Sequence, residues 1–239
     1  SLCTQNISGV MNFSSANNSV VFNKHGNQRI PKSFDVVHNI SFQNNGEKSI
    51  SSNLKINGDL RIEKQAHLKT DSFQVFGNPN GALFIDSLAT LSVGHNYNSN
   101  AIEFPLFSKI NCHDSSLVIY ASKENQNISS QPNYGNLNID DGAVDSCEKH
   151  ISGDSLIIKG NLTLSESSVN LVVKNKTVDL NGDWNGPGNI SITTGKLFIG
   201  GNGNSTGKLQ PGSSEIIYDG MGNQKIKIGN YHNITIDKL

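Results

Sequence analysis

The sequence predicts an all-β protein, a parallel β-solenoid built as a right-handed β-helix of roughly ten coils. Composition is the first observation. Only 35% of the 239 residues are hydrophobic and 16% charged, and the chain holds 23 Gly among many Asn, Ser and Thr. Secondly, short β-branched runs alternate with turn-forming residues at intervals of roughly ten positions. Thirdly, related phrases recur along the chain, as the stacked coils of a solenoid require.

The longest repeat occurs twice, once near each end of the chain. The phrase "VVFNKHGNQRIPKSFDVVHNISF" spans Val20–Phe42, and "EIIYDGMGNQKIKIGNYHNITI" spans Glu215–Ile236. In both, an apolar pair and an aromatic residue precede Gly-Asn-Gln, an Ile follows, and His-Asn-Ile comes about ten residues later. We interpret the phrase as a recurring module, either one coil or one hairpin, on both sides of a less regular section.

A shorter repeat favours a solenoid over a β-sandwich. "LKINGDLRI" (Leu54–Ile62) matches "LIIKGNLTL" (Leu156–Leu164), and a third relative, "VDLNGDWNG", spans Val178–Gly186. A sandwich has no reason to repeat one turn sequence, whereas coils of about 20 residues stacked at ~4.8 Å align equivalent positions in columns. Asn is expected at the corners, because it tolerates left-handed backbone and can form side-chain ladders along the axis.

We treat residues 1–239 as a single solenoid domain and, because the chain begins at Ser1 rather than Met, as a segment of a longer protein. Within it, the section 80–153 is predicted to be loop-rich and irregular. Loops that extend from the middle third of a rigid scaffold are where binding residues are expected. Irregular coils without a function are the alternative.

Aromatic residues are concentrated in this middle section, where exposed rings on loops would suit stacking against sugars or contact with proteins. Packing beneath the loops is the alternative for the same rings. The candidate ligand-binding residues are Tyr97, Phe104, Phe107, Tyr120 and Tyr134.

The three cysteines allow two interpretations. Cys112 and Cys147 can form a disulfide in an oxidising compartment, with Cys3 left over, or all three can be isolated thiols. His113 and His150 lie near the same cysteines, but the paired C-x₂-C spacing of zinc sites is missing. We therefore predict no metal and no cofactor.

Charge and hydropathy exclude two classes of partner. The net charge is −1, and Lys and Arg are scattered singly, so no basic stripe is available to bind the phosphates of a nucleic acid. No apolar run approaches the length of a membrane span, so this segment is not expected to insert into a membrane.

The repeats quoted above resemble those of large secreted surface proteins of bacteria, namely the filamentous-haemagglutinin-like and autotransporter-type adhesins. The resemblance covers Val20–Thr70 and Gly153–Leu239 and leaves the middle third unmatched. It implies a β-helical shaft that is exported and displayed at the cell surface or secreted. It also implies adhesion to a receptor or glycan on host cells, matrix or neighbouring cells. We expect no enzymatic activity, because the catalytic motifs considered next are incomplete.

A polysaccharide-active enzyme on the same fold is the first alternative. Asn138–Asp141 ("NIDD") could place two carboxylates together, as an inverting glycosidase requires. A polygalacturonase-like site would also need Gly-His-Gly and a later Arg, but the chain has "GHN" at Gly94–Asn96 and no Arg after Arg61. A purely structural stalk, with binding elsewhere in the parent protein, is the second alternative.

Overall fold

The computed structural model describes residues 13–94, 103–140 and 147–237, which form 25 strands and no helix. The first range contains β1 (Ser19–Phe22), β2 (Gln28–Ile30), β3 (Val36–Val37), β4 (Asn39–Phe42), β5 (Gly46–Ile50), β6 (Leu54–Ile56), β7 (Leu60–Ile62), β8 (Ala66–Lys69), β9 (Val75–Phe76), β10 (Ala82–Ile85) and β11 (Thr90–Val93). The second contains β12 (Lys109–Cys112), β13 (Leu117–Tyr120), β14 (Gln126–Ile128), β15 (Asn133–Tyr134) and β16 (Asn136–Ile139). The third contains β17 (Cys147–Ile151), β18 (Ser155–Ile158), β19 (Leu162–Leu164), β20 (Val169–Leu180), β21 (Trp184–Asn185), β22 (Asn189–Ile199), β23 (Leu209–Gln210), β24 (Glu215–Tyr218) and β25 (Asn233–Ile236).

Most turns of the chain contribute strands to three faces, and every ladder between the described strands is parallel. The first face stacks β1, β4, β7, β10 and β12, then β15, β18, the second halves of β20 and β22, β24 and β25. The second face stacks β2, β5, β8, β11, β13, β16, β19 and β21. The third face contains β3, β6 and β9, and later β14, β17, the first halves of β20 and β22, and β23. The predicted parallel β-solenoid, of about 10 turns, is confirmed.

The length of a turn varies between 18 and 27 residues, as the registers show. Glu215 aligns with Asn233 one turn later, whereas Ala82 aligns with Lys109. The longest turns fall in the section 80–153. Its described parts nevertheless form the eight strands from β10 to β17. The section predicted to be loop-rich therefore carries regular strands of the solenoid, with additional residues between them.

Alternate residues of the strands point into a continuous apolar core. On β1, Val20 and Phe22 are buried while Ser19 and Val21 are exposed. Parallel registers then align buried residues of successive turns, and burying each Ile or Leu stabilises the fold by roughly 1.5–3 kcal/mol. Two such columns are Val20, Ile40, Leu60, Leu83 and Phe22, Phe42, Ile62, Ile85.

The long repeat is one complete turn of the solenoid rather than a hairpin. In the first copy, β1 and β4 pair so that Val20 aligns with Ile40. In the second copy, β24 and β25 pair in the same way, with Ile216 opposite Ile234. The His-Asn-Ile end of each phrase therefore stacks on the apolar pair that begins it.

The short repeat specifies a corner but not which corner. Leu54–Ile62 turns the chain from the third face to the first, between β6 and β7. Leu156–Leu164 and Val178–Gly186 turn it from the first face to the second. The common element is therefore a strand, a Gly-containing bend and a second strand.

Asn and Asp residues at the corners have both of the predicted roles, which are to adopt left-handed backbone and to form side-chain ladders along the axis. Asn17, Asn44 and Asn175 adopt left-handed backbone, with φ of 74°, 61° and 56°. Other Asx residues form ladders in which the side-chain Oδ1 accepts the backbone N–H of the aligned residue one turn later. At the corner between the first and second faces these acceptors are Asn136, Asn161, Asp183 and Asn202, with distances of 2.6–3.0 Å.

A lysine side chain is also buried at a corner. Lys48 is fully buried, and its Nζ donates to the carbonyl oxygens of Gly26, Asn45 and Gly46 at 2.9, 3.1 and 3.4 Å. Burial, and secondly the charge of Lys24, lower the pKa of its ammonium group. The three carbonyls compensate for this desolvation, because each accepts a hydrogen bond from the charged form.

Glycines beside the Asx ladder are required by close contact between turns. The Gly182 N–H donates to the Gly160 carbonyl at 3.0 Å, and a Cβ on Gly182 would overlap that carbonyl and Oδ1 of Asn161. We predict that Gly182→Ala lowers the free energy of unfolding by about 1–3 kcal/mol, the usual cost of overpacking. Urea denaturation measures this change.

Gly229→Ala is the matched control, since a Cβ there would have no atom within 4 Å. Its free energy of unfolding should stay within about 0.5 kcal/mol of the unmodified protein. Equal losses for the two variants would contradict the proposed contact.

Candidate functional site

The first face is interrupted between β12 and β15, and a cleft opens there. No ladder joins these two neighbouring strands within the described residues, although every other consecutive pair described on this face is hydrogen-bonded. The cleft has a volume of about 390 Å³. Its lining residues are Ile85, Asp86, Ile110, Asn111, Cys112, His113, Gln131, Asn133 and Lys159.

The break follows from how the chain enters β15. This strand has only two residues, and Pro132 directly before it has no N–H to donate. The Gln131 side-chain amide donates instead to the carbonyl of Phe107 at 2.6 Å. As a result the inward residues Ile110 and Cys112 of β12 are only half-buried, unlike Leu83 and Ile85 on β10.

The chain bends at Ser129, between β14 and β15, and a closed set of hydrogen bonds on the core side holds this bend. The Ser129 N–H donates to Oη of Tyr120 at 3.0 Å, and Oη of Tyr134 donates to the Ser129 carbonyl at 2.6 Å. The two hydroxyl oxygens are 2.8 Å apart, so Tyr120 donates to Tyr134. Burial raises the pKa of both phenols, which therefore keep their protons. The backbone of Ser129 is thereby fixed to the core.

Ion pairs flank the cleft. Lys159 contacts Asp114 at 2.8 Å, and this hydrogen bond holds the pKa of the Asp114 carboxyl below its usual range. Nη1 of Arg61 lies 3.5 Å from Oδ1 of Asp86, and the guanidinium carbon of Arg61 lies 4.2 Å from the ring centroid of Phe84. Each acidic group of the lining or rim therefore has a basic partner.

Uncharged polar groups make up much of the remaining lining. Asn111 and Asn133 are exposed on outward positions of β12 and β15. His113 accepts the backbone N–H of Ser115 at its Nδ1, at 3.1 Å, so the proton of the neutral ring lies on Nε2. The cleft thus offers amide groups, one imidazole N–H and an apolar floor that includes Ile110.

The structure places the predicted aromatic residues in the core. Phe107, Tyr120 and Tyr134 are 0% exposed and Phe104 is 9% exposed, so their rings cannot stack against an external ligand. The Phe104 ring packs 6.3 Å from both tyrosine rings. Packing beneath the surface, the alternative to ligand contact, is therefore what the structure shows for these four. Tyr97 lies outside the described residues.

Cys112 and Cys147 are not bonded to each other, and Cys3 lies outside the described residues. Cys112 has a free thiol on β12, on the first face, whereas Cys147 is buried at the start of β17 on the third face. Burial raises the pKa of the Cys112 thiol to about 12, so the group is protonated near neutral pH. A protonated thiol is a poor nucleophile, and Cys112 serves as part of the cleft floor.

Sequence reasoning missed four of the residues that line the cleft, namely Asn111, Gln131, Asn133 and Lys159. They are brought together only by stacking of turns, so no local motif joins them. The one available signal was Pro132, which interrupts an otherwise strand-like stretch. Among residues 13–94, 103–140 and 147–237, no group of three or more His, Cys, Asp or Glu side chains could hold a metal ion. The same ranges contain no helix that could cross a membrane.

We predict that the hydroxyls of Tyr120 and Tyr134 stabilise the bend cooperatively. Tyr120→Phe and Tyr134→Phe should each lower the free energy of unfolding by about 1–3 kcal/mol, because each leaves buried polar groups unpaired. The double variant should lose about 1 kcal/mol less than the sum of the single losses, since both remove the same hydroxyl–hydroxyl bond. Urea denaturation of the four proteins measures this coupling, and additive losses would contradict it.

We predict that Cys112 resists alkylation. At pH 8 it should react with iodoacetamide at least about 100-fold more slowly than an exposed cysteine, and its rate should keep rising as the pH approaches 12, because only the thiolate reacts. Peptide mapping by mass spectrometry measures the rate. The urea-unfolded chain is the control, in which Cys112 should titrate near its ordinary value of about 8.5. A plateau near pH 9 in the folded protein would contradict the prediction.

No family model, curated protein or solved structure matches this chain.

Proposed function

We propose that this chain is a non-enzymatic binding segment of an exported surface protein, in which a rigid β-solenoid presents the cleft between β12 and β15 to an uncharged glycan. The observation that carries the proposal is the break in the first face. It opens a recess in a face whose other consecutive strands are hydrogen-bonded to each other. Concave sites with an apolar base and a few convergent polar groups are the usual form of small-ligand sites.

The chemistry of the lining favours a neutral sugar over a charged ligand. Asp86 is paired with Arg61, and Lys159 with Asp114, so little net charge is available to an incoming group. The amides of Asn111 and Asn133 each offer two donors and one acceptor, which suits hydroxyl groups. The half-buried Ile110 provides an apolar surface for the less polar side of a pyranose ring.

The rigid scaffold supports adhesion as the purpose of such binding. Loops and recesses on a regular framework keep their geometry without a partner, which lowers the entropic cost of binding. Export and display at the cell surface come from the resemblance of the repeats to those of bacterial adhesins. The partner we propose is accordingly a glycan on a host cell or on a neighbouring cell.

A polysaccharide-active enzyme is the second candidate, because the cleft also contains Asp86, His113 and Lys159. These groups could act as acids or bases. Asp140, one of the two carboxylates expected from sequence, is not among the residues that line the cleft. Asp140 follows β16 on the second face, and Asp141 lies outside the described residues.

The test is a glycan array probed with point variants, because deleting the middle third would remove core strands. We expect the unmodified protein to bind neutral glycans, and Asn133→Trp to weaken this binding at least about tenfold, since an indole would fill the recess. Asn127→Trp is the matched control. Asn127 is likewise an exposed, outward Asn, but it lies on β14 of the third face, and its replacement should leave binding within about twofold.

Three outcomes would contradict the proposal. Equal binding by all three proteins would move the site away from the cleft. Release of reducing or unsaturated sugar ends from bound polysaccharides would indicate the enzyme. No binding by any of the proteins would favour the structural stalk.

A further inference from the structure

The long repeat has a further copy in the middle section. Leu117–Ile139 reads "LVIYASKENQNISSQPNYGNLNI", with Glu-Asn-Gln in place of Gly-Asn-Gln and Gly-Asn-Leu in place of His-Asn-Ile. Its two ends pair as in the other copies, so that Val118 aligns with Leu137 one turn later. The chain thus contains a first, a middle and a last copy, whose glutamines are equally spaced at Gln28, Gln126 and Gln224.

The last copy repeats the bend that two tyrosines hold in the middle copy. The Lys227 N–H donates to Oη of Tyr218 at 2.9 Å, and Oη of Tyr231 donates to the Lys227 carbonyl. Lys227 thereby occupies the place of Ser129. Burial, and secondly the hydrogen bond between the two hydroxyls, raise the pKa of the Tyr231 phenol. The same closed set of hydrogen bonds therefore occurs twice in the chain.

A second recess lies where the repeat predicts the counterpart of the cleft. Its volume is about 350 Å³. Pro211 occupies the position of His113, and the Ser214 N–H donates to the Pro211 carbonyl at 2.9 Å in the turn that follows. Asn230 likewise occupies the position of Asn133. The lining residues of this recess are Pro211, Gly212, Asn230, Tyr231 and His232.

Two consecutive turns of the solenoid form the walls of the second recess. One wall, Pro211 and Gly212, comes directly after β23, and the other, Asn230–His232, belongs to the next turn. Among the described residues, β23 pairs only with β22 of the preceding turn. The gap between the two walls is therefore not closed by a ladder, as in the cleft.

The second recess offers the same kinds of group as the cleft. Asn230 and His232 are exposed, and the ring of Tyr231 is half-buried between them. An amide, an imidazole and an apolar surface are thus brought together, and none of the lining residues is an acid, a lysine or an arginine.

The first copy, without the two hydroxyls, is closed at this position. Phe22 and Val37 stand where the middle copy has its two tyrosines. Here Phe13 and Val37 form a parallel bridge, and the His38 N–H donates to the Phe13 carbonyl at 2.8 Å. Consecutive turns are joined in the copy without tyrosines and separated in the two copies that have them.

We propose that the second recess is a second sugar-binding site, equivalent to the cleft, so that each chain carries two sites for uncharged sugars. This inference rests on the proposed function, since the class of ligand is taken from the lining of the cleft. The amide of Asn230 offers two donors and one acceptor to sugar hydroxyls, as Asn133 does. The Tyr231 ring provides an apolar surface for a pyranose.

The positions of the two sites favour independent binding. The cleft interrupts the first face, whereas the second recess adjoins β23 on the third face, so each site holds its own sugar. Two sites on one rigid chain raise its avidity for a surface that displays many glycans.

The probes are the methyl glycosides of glucose, galactose, mannose and N-acetylglucosamine, each titrated into the whole isotope-labelled protein and followed by heteronuclear NMR. The backbone amide of Tyr134 reports on the cleft and that of Tyr231 on the second recess, because each directly follows a lining asparagine. We expect one glycoside to shift both amides saturably, with dissociation constants within about tenfold of each other, because the two linings share the same kinds of group.

Two variants serve as controls for each other. Asn230→Trp should weaken the binding reported by Tyr231 at least about tenfold, because an indole would fill the recess, and leave the binding reported by Tyr134 within about twofold. Asn133→Trp should have the reverse effect. Both asparagines are exposed, so thermal melting should show both variants folded as the unmodified protein.

The outcomes separate the second site from the proposed function. A shift of Tyr134 alone, or loss of both shifts in Asn133→Trp, would overturn the second site and leave the cleft as the sugar site. A shift of Tyr231 alone would overturn the cleft and with it the equivalence of the two sites. No saturable shift of either amide with any glycoside would contradict the second site and the proposed function together.

Discussion

Stacking of successive turns through parallel, in-register hydrogen bonds is the constraint on which the other features depend. Adjacent turns lie one strand spacing apart, about 4.8 Å, so a residue is surrounded above and below by its counterparts. Apolar residues such as Ile40, Leu60 and Leu83 are buried between counterparts on both neighbouring turns. The same spacing brings the Gly160 carbonyl against Gly182, where a side chain has no room. Each turn therefore limits what the next one can contain.

How far the sequence predicts this structure depends on whether a feature repeats. The solenoid and the corner roles of Asn were predictable, because alternation, Gly-containing bends and the repeated phrase all report local geometry. The choice of corner was not. Leu54–Ile62 and Leu156–Leu164 share a pattern but lie at different corners, since that depends on the residues counted around a whole turn. In the middle section the described strands stack in register across turns that are longer than elsewhere, and a local pattern does not show which strands such long turns align.

The candidate site was beyond sequence reasoning because it arises from an interruption of stacking. Tyr120 and Tyr134 attracted attention as aromatic residues among polar ones, yet their hydroxyls bond to each other and to Ser129 inside the core. Their contribution to the cleft is indirect. They fix the bend at Ser129 that leads to β15, where Pro132 has no N–H to donate and the Gln131 side chain bonds to Phe107.

The Asx ladders have a direction. At each step the acceptor side chain belongs to the earlier turn and the donating N–H to the later one, as for Asn136 and Asn161 and then for Asn161 and Asp183. A completed turn thus displays ready acceptors to the residues that follow it in the chain. Folding that advances from the N-terminal end adds each backbone N–H to an Asx side chain that the preceding turn already holds in place. The solenoid is in this sense suited to vectorial assembly, turn by turn, as a chain emerges from a ribosome or a pore.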